Sequence, residues 1–163
     1  MGWGDMSGSG SPVLQAQAAG SRVAVVVASW HEEITGAMAT SSVREIEAAG
    51  ARAEVFRVPG AFELALGTQA AARAGFAAVV ALGVVIRGGT PHFDYVCRAA
   101  TAGLNRVALD SGVPIGFGLL TCETLGQALD RSGLPGSSED KGAEAAQAAL
   151  AMIGVLAAIG ARR

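Results

Sequence analysis

The segment Arg87-Gly88-Gly89-Thr90-Pro91-His92-Phe93-Asp94-Tyr95 holds the densest set of groups able to do chemistry. Two adjacent glycines let a ligand approach the main chain closely. The helix that Pro91 announces just after them offers unpaired N–H groups and a partial positive charge. Together these suit an anion, phosphate above all. His92 stands in the first helical turn beside them, and an imidazole titrates near neutral pH, so it can take up and release protons. The plainer alternative is an ordinary strand-to-helix turn capped by Thr90, with a surface histidine. Other chemistries lack their residues. The histidines are His31 and His92, the cysteines Cys97 and Cys122, and no CxxC pair, Walker motif or GxGxxG occurs, which argues against a zinc site, a disulfide framework or a dinucleotide fingerprint.

The elements that must position these groups alternate along the chain. Residues 22–29 are almost continuously apolar and β-branched, which predicts a strand buried on both faces. A helix follows over 32–49, closed by Gly50, and then a strand over 51–58, stopped by Pro59 and Gly60. A helix over 62–74 ends at Gly75. Residues 77–86 form another apolar strand. Thr90 is read as the N-cap, and Pro91 as the first residue, of a helix running to about 109. Ser111 and Gly112 turn the chain into a strand over 114–120. A short helix over 123–131, a loop over 133–138 and a long helix over 139–159 complete the order. In that last helix Ala146, Leu150, Ile153 and Ala157 share one face. Strand and helix alternate four times, which predicts an α/β fold: a flavodoxin-like three-layer α/β/α sandwich around a four-stranded parallel sheet. Ligands of such sheets bind beyond the carboxyl ends of the strands. The residues after Ser29, Val58, Ile86 and Leu120 are therefore the ones to weigh.

Read in that order, the chain resembles the lumazine synthases. The resemblance is carried by Ala81 to Val96, by Val58-Pro59-Gly60-Ala61-Phe62-Glu63-Leu64, by Gly116 to Thr121, by Gln127-Ala128-Leu129-Asp130-Arg131, and by Lys141 to Ala146. Five segments in register, spanning roughly residues 22–160, make it specific. It implies a transferase of riboflavin biosynthesis. The reaction condenses 5-amino-6-(D-ribitylamino)uracil with 3,4-dihydroxy-2-butanone 4-phosphate, giving 6,7-dimethyl-8-ribityllumazine, phosphate and water, with no metal or redox cofactor.

The resemblance also implies roles. His92 matches the proton-transfer residue. Gly89 and Thr90 match the phosphate-binding pair, and Arg131 the cation that holds the same phosphate; a fixed guanidinium gives paired hydrogen bonds to phosphate oxygens. Trp30 stands where the family has an aromatic ring, usually Phe, able to stack on the pyrimidine. His31 departs from the asparagine common at the next place, and either touches substrate or is simply solvated. Ala61, Phe62 and Glu63 match the turn that meets the ribityl chain, although Glu63 would equally complement a helix dipole. Val84, Val85 and Ile86 match main-chain contacts to the pyrimidine, their side chains belonging to the core. Phe117 matches a pocket residue supplied by the adjacent subunit. Lys141 and Glu144, three apart on one helical face, resemble a pair near the site, and a surface salt bridge would look the same.

Composition bears on assembly and location. Of 163 residues, 51% are hydrophobic and 16% charged, so one domain with a real core is expected and few charges remain to cover it. Extensive contacts between subunits would hide the excess, and the resemblance implies a homopentamer with sites at its interfaces. The family sometimes builds pentamers into larger shells. Here the segment from Ser132 to Lys141, with Pro135, is longer than in shell-forming members and predicts a free pentamer. Residues 1–20, rich in Gly and Ser, read as a flexible tail before a domain over 21–163; within it Val13 and Leu14 would suit a short strand on a neighbour. The start has no basic-then-apolar leader pattern, and the apolar stretch 143–161 is alanine-rich with Glu144 and Gln147 inside it, so a cytoplasmic protein is expected, with a packed or partner-facing helix. The formal net charge of −2 and the absence of a basic stripe speak against nucleic acid. A riboflavin synthase is a candidate partner. The rival reading, an FMN-binding module, needs a hydroxyl-rich phosphate loop after the first strand, where this chain has Ser29-Trp30-His31-Glu32-Glu33.

Overall fold

The computed structural model describes residues 10, 12–14 and 18–162. Most of the predicted tail lies outside the described residues. Val13 and Leu14 are exposed and belong to no strand, whereas Ala18 is buried and its N–H donates to the Ala49 carbonyl at 3.0 Å. The elements are β1 (Arg22–Ala28), α1 (Glu32–Ala48), β2 (Arg52–Val58), a 3-10 turn (Ala61–Glu63), α2 (Leu64–Arg73), β3 (Ala78–Ile86), α3 (His92–Ser111), β4 (Ile115–Cys122), α4 (Leu125–Asp130) and α5 (Lys141–Gly160). The four strands pair in parallel in the order β2-β1-β3-β4, as the alternation predicts.

Alternate residues of β1 supply two cores. Val23, Val25 and Val27 pack with Ile34, Met38 and Ile46 of α1 and Ala146 and Leu150 of α5. Ala24, Val26 and Ala28 pack with Leu64 of α2 and Ala100 and Leu104 of α3. Burial on both faces is why β1 reads as an unbroken apolar run. Each fully buried valine contributes about 1.5–3 kcal/mol. The α1–α5 contact is close enough to demand glycine: a Cβ on Gly142 would lie 2.6 Å from Met38 Cα. Ser42 fixes the same crossing by donating to the Gly142 carbonyl at 2.8 Å.

One expectation needs correction. Helix α3 begins at His92, not Pro91, and Thr90 makes no side-chain cap; Pro91 stands at the cap position with φ −64°, and its carbonyl accepts the Asp94 N–H at 3.0 Å. The proline ring presets the turn, so the hydroxyl is not needed. On α5 the predicted stripe is buried at Ala146 and Leu150, half-buried at Ile153 and exposed at Ala157, because the helix overhangs the sheet. By length and composition α5 would also suit a membrane span, yet its first half is committed to the core beneath α1.

The topology fixes where a ligand belongs. From β1 the chain leaves toward β2 by way of α1 on one face. From β3 it leaves toward β4 by way of α3 on the other face. The loops after β1 and β3 therefore diverge and open a crevice at the carboxyl edge between them.

Candidate active site

One wall of the crevice is the corner where β1 and β2 end. The N–H and the hydroxyl of Ser29 both donate to the Val58 carbonyl, at 3.0 and 2.9 Å, and tie the two strand ends together. Trp30 follows, 68% exposed. Its indole and the Glu63 carboxylate crowd over Gly60: a Cβ there would lie 3.5 Å from Trp30 Cδ1 and Nε1 and 3.3 Å from Glu63 Oε2. Glycine keeps that backbone open so that ring and carboxylate can share it. Ala61 is buried, Glu63 half-buried and Phe62 exposed, so the 3-10 turn presents one aromatic ring outward.

The floor is β3. Its register with β1 ends at Val27↔Leu82, while its register with β4 runs on to Ile86↔Cys122. The main chain of Val84, Val85 and Ile86 therefore overhangs β1, with one edge facing the crevice. The side chains turn away from it: Val84 and Ile86 pack into the core under α1 and α5, and Val85 against the opposite core. Main-chain donors and acceptors on a rigid strand suit a flat heterocycle with edge hydrogen bonds.

Beyond β3, Gly88, Gly89, Thr90 and His92 are all exposed, and a Cβ on either glycine would meet nothing within 4 Å. Crowding inside the protomer does not require these glycines, and the loop is open to approach from outside. Arg87 holds its base. The guanidinium donates to Glu123 Oε2 at 2.7 Å and, through both terminal nitrogens, to Asp94 at 3.2 and 3.3 Å, and lies 4.2 Å over the Phe93 ring. Hydrogen bonds to Asp94 and then Glu123 hold Arg87 protonated well above the ordinary arginine range. Arg87 was not predicted as a site residue; it clasps the start of α3 to the end of β4. Asp94 at seven residues' distance hints at this, but Glu123 is brought in only by the β3–β4 pairing.

A second corner is built by β4, α4 and α5. Thr124 caps α4 by accepting the Gln127 N–H, and Arg131 ends it. Arg131 Nη1 donates to the Gln127 carbonyl at 3.0 Å, and Nε lies 3.9 Å from Glu139. Lys141 pairs with Glu139 and donates to Glu144 at 2.8 Å. Burial opposes the charge on Lys141, but the hydrogen bonds to Glu139 and Glu144 together outweigh it and leave the amine above the usual lysine value. The loop between folds back on itself: Glu139 N–H donates to the Asp130 carbonyl and Lys141 N–H to that of Arg131, both at 3.0 Å. Gly133 is obligatory in this turn, with φ +77° and a would-be Cβ 2.6 Å from the Asp140 carboxyl carbon.

A single protomer thus brings Trp30, Gly60, Ala61, Phe62 and Glu63 together at one corner, and Arg131, Lys141 and Glu144 at another. Phe117 joins neither. It sits in mid-β4 opposite Ala81, half-exposed, in a groove of about 300 Å³ shared with Thr101, Leu104 and Asn105 of α3.

Comparison with known proteins gives a consistent result. The family model described as 6,7-dimethyl-8-ribityllumazine synthase matches residues 20–157. A protein of that name from Leifsonia xyli subsp. xyli is 56% identical over 156 residues, covering 94% of this chain and 99% of its own. One from Kineococcus radiotolerans is 59% identical over 146 residues, covering 89% and 91%. One from Streptomyces avermitilis is 49% identical over 156 residues, covering 94% and 97%.

Proposed function

The chain belongs to the 6,7-dimethyl-8-ribityllumazine synthase family, and from that premise we propose how its residues divide the work. The enzyme acts in riboflavin biosynthesis. It condenses 5-amino-6-(D-ribitylamino)uracil with 3,4-dihydroxy-2-butanone 4-phosphate. In our reading the pyrimidine stacks on Trp30 and meets the overhanging main chain of Val84, Val85 and Ile86. The ribityl hydroxyls reach Ala61, Phe62 and Glu63. Gly89 and Thr90 cradle the phosphate, and Arg131 supplies its counter-charge. The amine attacks the ketone and an imine forms with loss of water. Phosphate then leaves, and ring closure expels a second water. His92, at the head of α3 just beyond the cradle, moves the protons. Holding two substrates side by side supplies much of the acceleration.

The observation that carries this reading is a pair of corners with different chemistry: an open indole beside a carboxylate where β1 and β2 end, and a braced cation where β4 meets α4 and α5. Trp30 stands at the end of β1, while Phe117 and Arg131 belong to the side of the sheet beyond β3. A Phe117 and an Arg131 from a neighbouring protomer complete the pocket in our reading, with Lys141 beside them. The exposed Leu66, Leu109 and Phe117 favour such a neighbour, because a lone protomer would leave them in water. We propose a homopentamer that stays free: the 132–140 loop, longer than in shell-forming members by the resemblance and tied to its own backbone, would obstruct contact between pentamers; a riboflavin synthase is a candidate partner of that assembly.

The direct test mixes the enzyme with both substrates and follows lumazine fluorescence and phosphate release together; equal yields are expected, and no lumazine would overturn the assignment. Sharing of the site is tested by complementation. His92→Ala and Arg131→Ala chains, each strongly impaired on its own, should regain activity when dissociated and reassembled together. Light scattering should give five chains of 16.2 kDa; a much larger shell would refute the free pentamer.

A further inference from the structure

Between β1 and α1 the chain passes through one residue of unusual conformation. His31 has φ 54° and ψ 57°, and among the described residues it is the one non-glycine residue with positive φ. This left-handed region crowds Cβ against the following carbonyl, so L-residues other than Asn, Asp and His seldom occupy it. Here the surroundings impose it. The His31 carbonyl accepts the N–H groups of Ile34 and Thr35 at 2.9 and 3.0 Å. The fully buried Thr35 places its hydroxyl 3.3 Å from that same oxygen and 3.5 Å from the Trp30 carbonyl. On the other side Ser29 is fixed to Val58 twice. Trp30 is thereby clamped between two anchored neighbours, with its indole over Gly60 beside Glu63. The imidazole of His31, in contrast, is turned out to solvent.

We propose that His31 is a positioning residue that acts through its main chain. Its left-handed turn, strapped by Thr35, sets the angle at which Trp30 presents its ring, and its imidazole takes no part in the reaction. The inference rests on the reading of Trp30 as the pyrimidine platform. Asparagine tolerates the same backbone region, so the turn should survive its substitution for His31. A β-branched residue there would drive the turn toward extended or right-handed backbone and swing the indole off Gly60.

The test uses the full-length enzyme with Trp3→Phe, so that Trp30 is the one indole present. His31→Asn, His31→Gly, His31→Val and Thr35→Val are compared by KM for each substrate, by the pH profile of kcat and by Trp30 emission. Asparagine and glycine are expected to keep KM for the pyrimidine within about twofold, with the parent pH profile and emission, because both reach the left-handed region readily. His31→Val and Thr35→Val should raise KM for the pyrimidine about three- to fivefold, leave KM for the phosphate ester unmoved, and shift the emission. Should valine prevent folding, the asparagine and glycine variants still decide. If they lose activity with unchanged emission, or alter the pH profile, the imidazole works directly and the proposal is wrong. Unchanged KM and emission in a folded valine variant would overturn it as well. Trp30→Ala separates the premise: if it leaves the pyrimidine KM unmoved, the platform reading fails, while the emission series still reports whether the turn aims the ring.

Discussion

The two walls of the proposed pocket are fixed by opposite means. At the β1–β2 corner an exposed indole is held by main-chain geometry: two hydrogen bonds from Ser29 to the Val58 carbonyl, a left-handed residue at His31 and a bare glycine beneath the ring. At the β4–α4–α5 corner charges are held by charges. Arg131, Glu139, Lys141 and Glu144 brace one another around a loop that folds back on its own backbone between α4 and α5. A planar, nearly neutral ligand needs a surface at a fixed angle, which backbone conformation provides. An anion needs a cation that will not collapse onto it or wander, which partly buried counter-charges provide. The contrast predicts that damage at the two walls will show in different kinetic constants.

The largest effect is expected at the charged wall. Arg131→Ala should lower kcat/KM about 10²–10³-fold, the usual cost of removing a fixed donor from developing negative charge. The loss should be milder for Arg131→Lys, which keeps the charge and gives up the fork. His92→Ala should slow kcat by about 10²-fold, at the low end for general acid–base residues, because the two substrates remain juxtaposed. Its loss should leave both KM values nearly unchanged; a rise confined to one substrate would make His92 a binding group instead. At the aromatic wall, Trp30→Ala should raise KM for the pyrimidine roughly three- to tenfold, in the range of ring–ring contacts, and Trp30→Phe should restore most of it. If Trp30→Ala instead lowers kcat as far as Arg131→Ala does, the two walls are not functionally distinct and the comparison fails.

These walls were unequally legible in the sequence. The apolar run of β1, the glycines after the helices and the breaks at Pro59 and Gly112 report local preferences, so the order of elements could be read from them. The Gly88-Gly89 loop and the position of Trp30 were legible for the same reason: each stands at the end of a recognisable strand. What holds the charged wall was not. Asp140 caps α5, accepts from Ser41 at 2.7 Å and lies 3.4 Å from Arg44, and both partners are about a hundred residues away in sequence. Residues 133–138 read as a bare loop because serine, glycine and proline mark turns. Their order comes from pairings such as Ser138 with Asp130 and Ser137 with the Leu129 carbonyl, which no periodicity reveals. Thr90 misled in the other direction: a good cap by type, it is superseded by the rigid proline that follows and by the Arg87–Asp94 clasp. The left-handed backbone of His31 has no signature in residue type that would have singled it out.

The smallest expected effect tests whether the charged wall is held by charge at all. Glu144 accepts from Lys141, whose pKa is raised above its ordinary value because its bonds to Glu139 and Glu144 outweigh the cost of burial. A pKa raised on folding contributes stability that is fully present below the ordinary lysine value and is lost as pH rises through the raised one. Glu144→Gln keeps the shape and removes one of the two counter-charges. The pair is partly exposed, so the variant should cost about 0.5–1 kcal/mol near neutral pH, a Tm lower by roughly 1–4 °C. The gap between variant and parent should close at alkaline pH, once Lys141 is neutral and has nothing for the carboxylate to balance. A gap that persists undiminished through that range, measured by thermal unfolding in matched salt, would mean that Glu144 contributes packing rather than charge. The far wall would then be held in the same way as the near one.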